Sequence, residues 1–425
     1  MPEAMARGSA SDDEDEDDSD EEREIHWVDE TCGGSSSSAT AGASGPARSA
    51  WPYHYREIKR VQFKSTKQAA DSLVKHARLE EPVIFEGAKV IDVNRWKDLE
   101  HLRKVLGDKE VLVKRSPNEH FRYYDLKKNT GNFAFEEPVE EIKRTFPEFC
   151  AESERLLEEG SPTRMYLQET LAGHEEMSEE FGTWDWSFLL SVSSACGWGL
   201  PDSNELFVGM RGVETPLHFD ERENLFFQAR GRKDVCLFPW TDYVRLYPFP
   251  LTHPCDRQSM VGSPRVPDLE AFPRFEEATG YTGQLRKGDL LYIPYGWWHW
   301  LRNVDHMAVS VSFWSITRPS TDASKGLPEK LSAGMFTRVR RNLESMIADE
   351  DKPNLNEAML DLRDAILEQR EEDRRLKAVR MLLTAVKLPA QLQDRFLLEI
   401  IEGRFGIDWQ RHVPGGGRQS REMAA

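Results

Sequence analysis

Between about residues 203 and 315 the chain breaks into short apolar runs separated by turn signals, and this rhythm restricts the fold more than any other feature. ELFVGM, PLHFD, LFFQARG, DVCLFPW, GDLLYIP and MAVSVSFW each have the length and apolar character of one strand. Gly231 and the Gly288-Asp289 pair mark turns. Short strands at this density predict a sandwich or small barrel of the jelly-roll kind. The stretch YPFPLTHPCDRQSMVGSPRVPDLEAFPRFEEATG interrupts the pattern. Its prolines cannot donate to a ladder, so it is expected as an ordered surface loop.

On either side the pattern changes. AADSLVKHARLEE reads as a helix leading to a short strand at Pro82–Phe85, and RWKDLEHLRKVLGD as a second helix ended by Gly107. VLVKRS, FRYYDL and RMYLQETL read as extended, residues 138–160 as helical, and WDWSFLL is not assigned by its pattern. After Pro319 the spacing is helical. Phe336, Val339, Leu343 and Ile347 form one apolar stripe, one long helix is expected from Asn356 to before Pro389, and a last one runs from Pro389 to Gly403.

Charge divides the chain further. Residues 1–50 hold fourteen acidic and three basic residues, so they carry −11 of the total −18. With its Ser/Gly-rich continuation this segment cannot bury enough apolar surface to order itself, and it is expected as a disordered, solvating tail. The body from Trp51 onward is only mildly acidic and has no basic footprint for nucleic acid. Five widely spaced cysteines without a CxxC pair argue against a disulfide framework or a zinc knuckle. No apolar run has membrane-spanning length. The expectation is a soluble protein of a reducing compartment, the cytoplasm and also the nucleus. Its domains are expected as a tail at 1–50, a globular domain at 51–318, a helical region at 319–409 and a loose end at 410–425. The globular domain divides into an α/β flank at 51–200 and a barrel core at 201–318.

Within PLHFD, His218 and Asp220 are two residues apart on a predicted strand, so they share one face. Burying both is costly unless something satisfies them, and a bound metal ion does so. His299, in GDLLYIPYGWWHWLRN, is the candidate third ligand. Two histidines and a carboxylate form the arrangement favoured by non-haem Fe(II) oxygenases, with the remaining positions open. The competing reading is a hydrogen-bonded pair near a strand end, since an isolated HxD is a weak signal. A second such pair, His174 and Glu176, lies in a helical or loop context where i and i+2 diverge, and is set aside. Lys233 follows one strand and the Gly231 turn later, where a hairpin would bring its ammonium to the metal pocket as a counter-charge for a dicarboxylate. Thr215, on the strand of His218, is a hydrogen-bond donor to the same group.

TPLHFDERENLFFQARGRKDVCLFPW, YPFPLTHPCDRQS, FPRFEEATGY and GDLLYIPYGWWHW, in this order, resemble the JmjC-type 2-oxoglutarate-dependent asparaginyl hydroxylases, the family typified by factor inhibiting hypoxia-inducible factor. The resemblance runs from about Trp51 to Trp314 and resumes weakly in LLEIIEGRF. It implies a double-stranded β-helix core with flanking helices and a C-terminal helical region. It implies His218, Asp220 and His299 as ligands of Fe(II), and 2-oxoglutarate and dioxygen as cosubstrates. Lys233, Thr215 and Tyr166 would hold the distal carboxylate of 2-oxoglutarate, with Asn224 and Ser312 near its metal-binding end. Arg257 and Gln258, in CDRQ, would clamp the amide of a target asparagine, with Glu221 and Arg222 also at the substrate. The implied partner is a protein segment, in an ankyrin repeat or a transcription factor, and the implied assembly is a homodimer through the C-terminal helices. Trp297, Trp298 and Trp314 would be dry walls or plain core.

There are departures from the family pattern. Ser312 stands where an asparagine is usual, and Trp300 rather than histidine follows the third ligand. The acidic tail and the stretch around 350–387 have no counterpart. Two other readings stay open: a JmjC lysyl demethylase or hydroxylase of another residue, and a non-catalytic barrel that binds a partner protein.

Overall fold

The computed structural model describes residues 55–130, 133–174, 177–317, 333–350, 355–402 and 404–405. The expected acidic tail, the helix stop at Gly403, the loose end at 410–425 and the side chain of Phe336 lie outside the described residues. Before the barrel the strands are β1 (Arg56–Glu57), β2 (Lys59–Val61), β3 (Val83–Phe85), β4 (Val111–Ser116), β5 (Glu140–Arg144) and β6 (Arg164–Thr170). The barrel strands are β7 (Trp198–Gly209), β8 (Glu214–Phe219), β9 (Glu223–Arg230), β10 (Lys233–Phe238), β11 (Tyr281–Leu285), β12 (Leu290–Ile293), β13 (Trp298–Asn303) and β14 (Ala308–Thr317).

Two sheets face each other. One has the order β2-β3-β12-β9-β14-β7-β6-β4-β5 and the other β1-β11-β10-β13-β8. The eight strands from β7 to β14 contribute four to each sheet, all antiparallel, and the chain crosses between the sheets at every connection except β10–β11. This is a jelly-roll, double-stranded β-helix core, and the strands β2 to β6 extend one of its layers. The central strand β9 is buried along nearly its whole length and β12 along all of it. Such strands read as continuous apolar runs rather than as alternation.

The flanking helices are α1 (Thr66–Arg78), α2 (Val93–Trp96), α3 (Leu99–Leu106), α4 (Phe146–Glu158), α5 (Met177–Phe181) and α6 (Trp186–Ala195). WDWSFLL is the start of α6, which packs on β7, and its cap is Asp185, whose carboxylate accepts from Phe188 N at 2.9 Å. The helical expectation for 138–160 holds only from Phe146. EEIKR instead pairs with β4, and Thr145 then opens α4 with a reciprocal capping box to Glu148. FRYYDL is not a strand but an irregular segment that runs along the mouth of the site. The strands β11 and β13 were not separable as apolar runs, because YTGQL is half-polar and WHWLRN directly follows a turn.

The C-terminal helices are α7 (Ala333–Glu350), α8 (Leu355–Leu367), α9 (Arg374–Ala385) and α10 (Ala390–Ile401). The single long helix expected from Asn356 is two. Between Leu367 and Leu376 the sequence EQREEDRR offers no apolar side chain to bury, Gln369 turns to φ +55°, and Asp373 caps a new start by accepting from Leu376 N at 2.9 Å. Val339, Leu343, Ile347, Phe396 and Ile400 are buried in one apolar cluster of these helices, with Leu392 packed against it. The stripe is thus satisfied inside the chain, and a homodimer remains an implication of the resemblance. A buried ion pair, Glu344–Arg404 at 2.6 Å, docks the helices on the inserted loop, where Arg404 also donates to the carbonyls of Pro248 and Phe249. Among the described residues, no helix is long and apolar enough to cross a membrane.

Candidate metal centre

The site is built on the pairing of β8 with β13. His218 lies directly opposite His299, but Thr215 lies opposite Leu301, so three steps on β8 match two on β13. This bulge carries Pro216, which needs no ladder donor. It turns Thr215 to the same side as His218, and both line one cavity with Asp220, whereas Leu217 and Phe219 point into an apolar cluster under the inserted loop. Alternation alone would have placed Thr215 and His218 on opposite faces.

The ligand atoms of His218, Asp220 and His299 all lie within 4.8 Å of one another. His299 Nε2 is 3.6 Å from Asp220 Oδ2, near the separation of about 3–3.5 Å that two ligands bonded at about 2.1 Å to one ion subtend. Each histidine is oriented from behind. The Nδ1–H of His218 donates to the Pro216 carbonyl at 2.8 Å, and that of His299 to the Trp297 carbonyl at 3.1 Å. Because a carbonyl only accepts, the proton sits on Nδ1 and the Nε2 lone pairs face inward. Burial, and then the neighbouring imidazole of His299, push the His218 pKa far down, so it stays neutral and competent as a ligand. For Asp220 burial acts to raise the pKa, but His299, His218 and Arg257 hold it below the usual carboxylate range, helped by the indole N–H of Trp314, 3.2 Å from Oδ2.

Next to the triad is an inner chamber of about 40 Å³ lined by Tyr166, Phe207, Thr215, Asn224, Phe226, Lys233, Ser312 and Trp314, among others. Lys233 does not reach it by a hairpin. The strands β9 and β10 lie in different sheets, so the Gly231 turn is a crossing, and Lys233 starts β10 with its side chain inside the barrel. The residue is 2% exposed, and its ammonium is 5.0 Å from the ring centre of Phe226, 5.7 Å from Phe207 and 5.9 Å from Tyr166. Burial lowers its pKa to about 7, and among the described residues no carboxylate pairs with it. Burial raises the pKa of the Tyr166 hydroxyl, while Thr215 beside it acts in the opposite sense. Asn224 Oδ1 and Ser312 Oγ are buried without a hydrogen-bond partner among the described residues. Two histidines and a carboxylate fit Fe(II). A buried cation in one chamber with unsatisfied polar atoms and the triad fits a small dicarboxylate.

Outside the triad the cavity widens to about 820 Å³, the size of a ligand cleft. Its walls include Tyr123, Tyr124, Lys114, Lys128, Glu221, Arg222 and Arg257. Arg257 lies over the Tyr123 ring, 5.6 Å from its centre, with Nη1 4.0 Å from Asp220 Oδ1. Gln258 is not among the lining residues. It is 1% exposed, and its Nε2 donates to the Tyr123 carbonyl at 2.6 Å, bracing the mouth from behind. Arg222 pairs with Asp202, and Glu221 with Arg341. Of the three tryptophans, Trp314 lines the cavity, and Trp297 and Trp298 are buried in apolar clusters. His174 bonds Glu169 at 2.9 Å and has no part in the site, while Glu176 is outside the described residues. The aromatic wall from FRYYDL has no signal in the sequence, because its pattern passes for a strand. Arg341, far along the chain, gave no signal at all.

The cupin-like domain family matches residues 69–319. HSPB1-associated protein 1 of Rattus norvegicus is 28% identical over 254 residues, which cover 56% of this chain and 49% of that protein. Its homolog in Danio rerio is 39% identical over 112 residues, 26% of this chain and 24% of that one. Lysine-specific demethylase JMJ30 of Arabidopsis thaliana is 28% identical over 221 residues, 52% of this chain and 46% of that protein. The chain spans about half or less of the length of these relatives. The family match covers the whole jelly-roll and its His-Asp-His cluster, and the chain belongs to the cupin-like domain family.

Proposed function

We propose that this chain is an Fe(II)- and 2-oxoglutarate-dependent oxygenase that hydroxylates the β-carbon of asparagine in a protein segment. Lys233 carries the reading: an ammonium buried without a counter-ion is costly, and a carboxylate entering the chamber removes that cost. Fe(II) would be held by His218, Asp220 and His299. The far carboxylate of 2-oxoglutarate would be held by Lys233, Tyr166 and Thr215, with Asn224 and Ser312 toward the metal. When bound, the pair supplies the oxidising chemistry, in which dioxygen converts 2-oxoglutarate to succinate and carbon dioxide and gives one oxygen atom to the target carbon.

The chain's own work is orientation and exclusion of water. Lys233 donates to the carboxylate and sets its direction, and the rings of Phe207, Phe226 and Tyr166 keep the ammonium dry. Trp314 donates to Asp220 Oδ2 and so fixes the orientation of the carboxylate beside the metal position. Arg257, at the cavity wall beside Asp220, is a donor to the carbonyl of a side-chain amide.

The names of relatives such as JMJ30 favour a second reading, demethylation of lysine. A methylated ammonium is taken up by aromatic faces and free carboxylates. At this mouth the acids are committed, Asp202 to Arg222, Glu221 to Arg341 and Asp220 to the triad, which leaves the cationic Arg257 facing the cavity. That balance supports a neutral amide target. The test is incubation with Fe(II), 2-oxoglutarate, dioxygen and asparagine-containing peptides from ankyrin repeats or transcription activators. Succinate and one oxygen added to asparagine are expected. Loss of a methyl group from a methyl-lysine peptide instead would move the assignment to the demethylase.

A further inference from the structure

We propose that the C-terminal helix α7 completes the substrate site, with Arg341 as a positioning residue for Arg257 at the cavity wall. This rests on the oxygenase reading above and adds to it a part of the chain outside the barrel. Arg341 uses its whole guanidinium fork. Nη1 and Nη2 meet the two oxygens of Asp256 at 2.7 and 2.9 Å, and Nε meets Glu221 Oε1 at 2.8 Å. Glu221 directly follows the metal ligand Asp220, and Asp256 directly precedes Arg257. One side chain therefore ties the turn after the ligand to the loop that carries the cavity arginine.

The loop needs such a tie. Asp256 is 1% exposed, and its other cation is Lys128 at 2.9 Å. Arg257 stands at φ +67°, a conformation that a β-carbon disfavours. Its carbonyl accepts from Phe219 N at 3.0 Å, so the loop lies along the free edge of β8 next to Asp220 and Glu221. Without Arg341, the carboxylates of Glu221 and Asp256 lose the cation they share, and repulsion between them pushes the loop off that edge. Arg257 then leaves its place over Tyr123. Iron and the dicarboxylate chamber, on the inner side of the triad, keep their residues.

The helix does not depend on this contact for docking. Glu344–Arg404 and the buried Val339, Leu343 and Ile347 hold α7 without Arg341. The experiment compares wild type, Arg341→Ala, Arg257→Ala and the double variant in the full chain. Peptide KM is expected to rise about tenfold in Arg341→Ala, with kcat and the KM for 2-oxoglutarate within about twofold. The double variant is expected to be no worse than Arg257→Ala alone, because one residue acts through the other. Hydrogen exchange over 253–259 is expected to quicken in Arg341→Ala while β9 and β12 are unchanged, and this readout needs no turnover. If Arg341→Ala fails to fold, Arg341→Lys, which cannot bridge both carboxylates with the same fork, carries the same measurements. Additive effects with Arg257→Ala, or unchanged exchange in the loop, would overturn the proposal. No turnover of any peptide by wild type, with the exchange result intact, would instead count against the oxygenase reading.

Discussion

Lys233 ties stability, pH and cosubstrate together in one side chain. A free lysine titrates near about 10.4, and burial lowers this one to about 7. Below about pH 7 it is charged both folded and unfolded, and the cost of burying the charge is felt in full. From about 7 to about 10 the unfolded chain holds more protons, so the folded form gains stability as pH rises through that window. Urea unfolding of the ligand-free protein across these pH values should show the rise, and Lys233→Met should abolish it. Binding of 2-oxoglutarate runs the other way, because it pairs with the protonated amine and should weaken as pH climbs past about 7. The hydrogen bond from Trp314 to Asp220 makes a second prediction. Trp314→Phe should weaken Fe(II) binding about tenfold, measured by competition with a chelator. At this scale the ligands were legible, because HxD on a strand and a later histidine are a local pattern. Gln258 shows the limit: only the packed loop reveals that its Nε2 is held by the Tyr123 carbonyl while its Oε1 has no hydrogen-bond partner among the described residues.

Among the elements, the bulge in β8 does the most to shape the site, and Gly209 at the end of β7 is packed directly against the chamber residue Tyr166. A β-carbon on Gly209 would lie 2.7 Å from Tyr166 Cδ2 and 2.6 Å from Asn303 Nδ2. Gly209→Ala should therefore push the Tyr166 ring into the chamber, lower stability by about 1–3 kcal/mol and weaken 2-oxoglutarate binding. Differential scanning calorimetry and equilibrium binding would read the two effects. Most barrel strands could be found in the sequence because burial on both faces makes them continuous apolar runs. The strand β5 was absorbed into a helix because EEIKR is too short for its alternation to outweigh the helical residues that follow. The split between α8 and α9 was missed because helix propensity stays high through EQREEDRR, and only the missing apolar contact breaks it.

Over the whole molecule, the C-terminal helices are joined to the barrel by charges buried under the inserted loop. Glu344 is 1% exposed and Arg404 2%. Removing one partner leaves a buried charge alone, so Glu344→Ala should cost about 3–5 kcal/mol in urea unfolding. The fold class could be read from the rhythm of strands, but this docking could not. Its residues are scattered over the inserted loop, α7 and the segment just after α10, and nothing in a local pattern pairs them. The central claim is one iron site beside one buried lysine, and anaerobic equilibrium binding of Fe(II) and 2-oxoglutarate tests it most directly. Wild type should take up one of each. His218→Ala should lose the iron and with it the dicarboxylate, while Lys233→Met should keep the iron and bind 2-oxoglutarate about 10- to 100-fold more weakly. Uptake of 2-oxoglutarate unchanged in both variants would contradict the account.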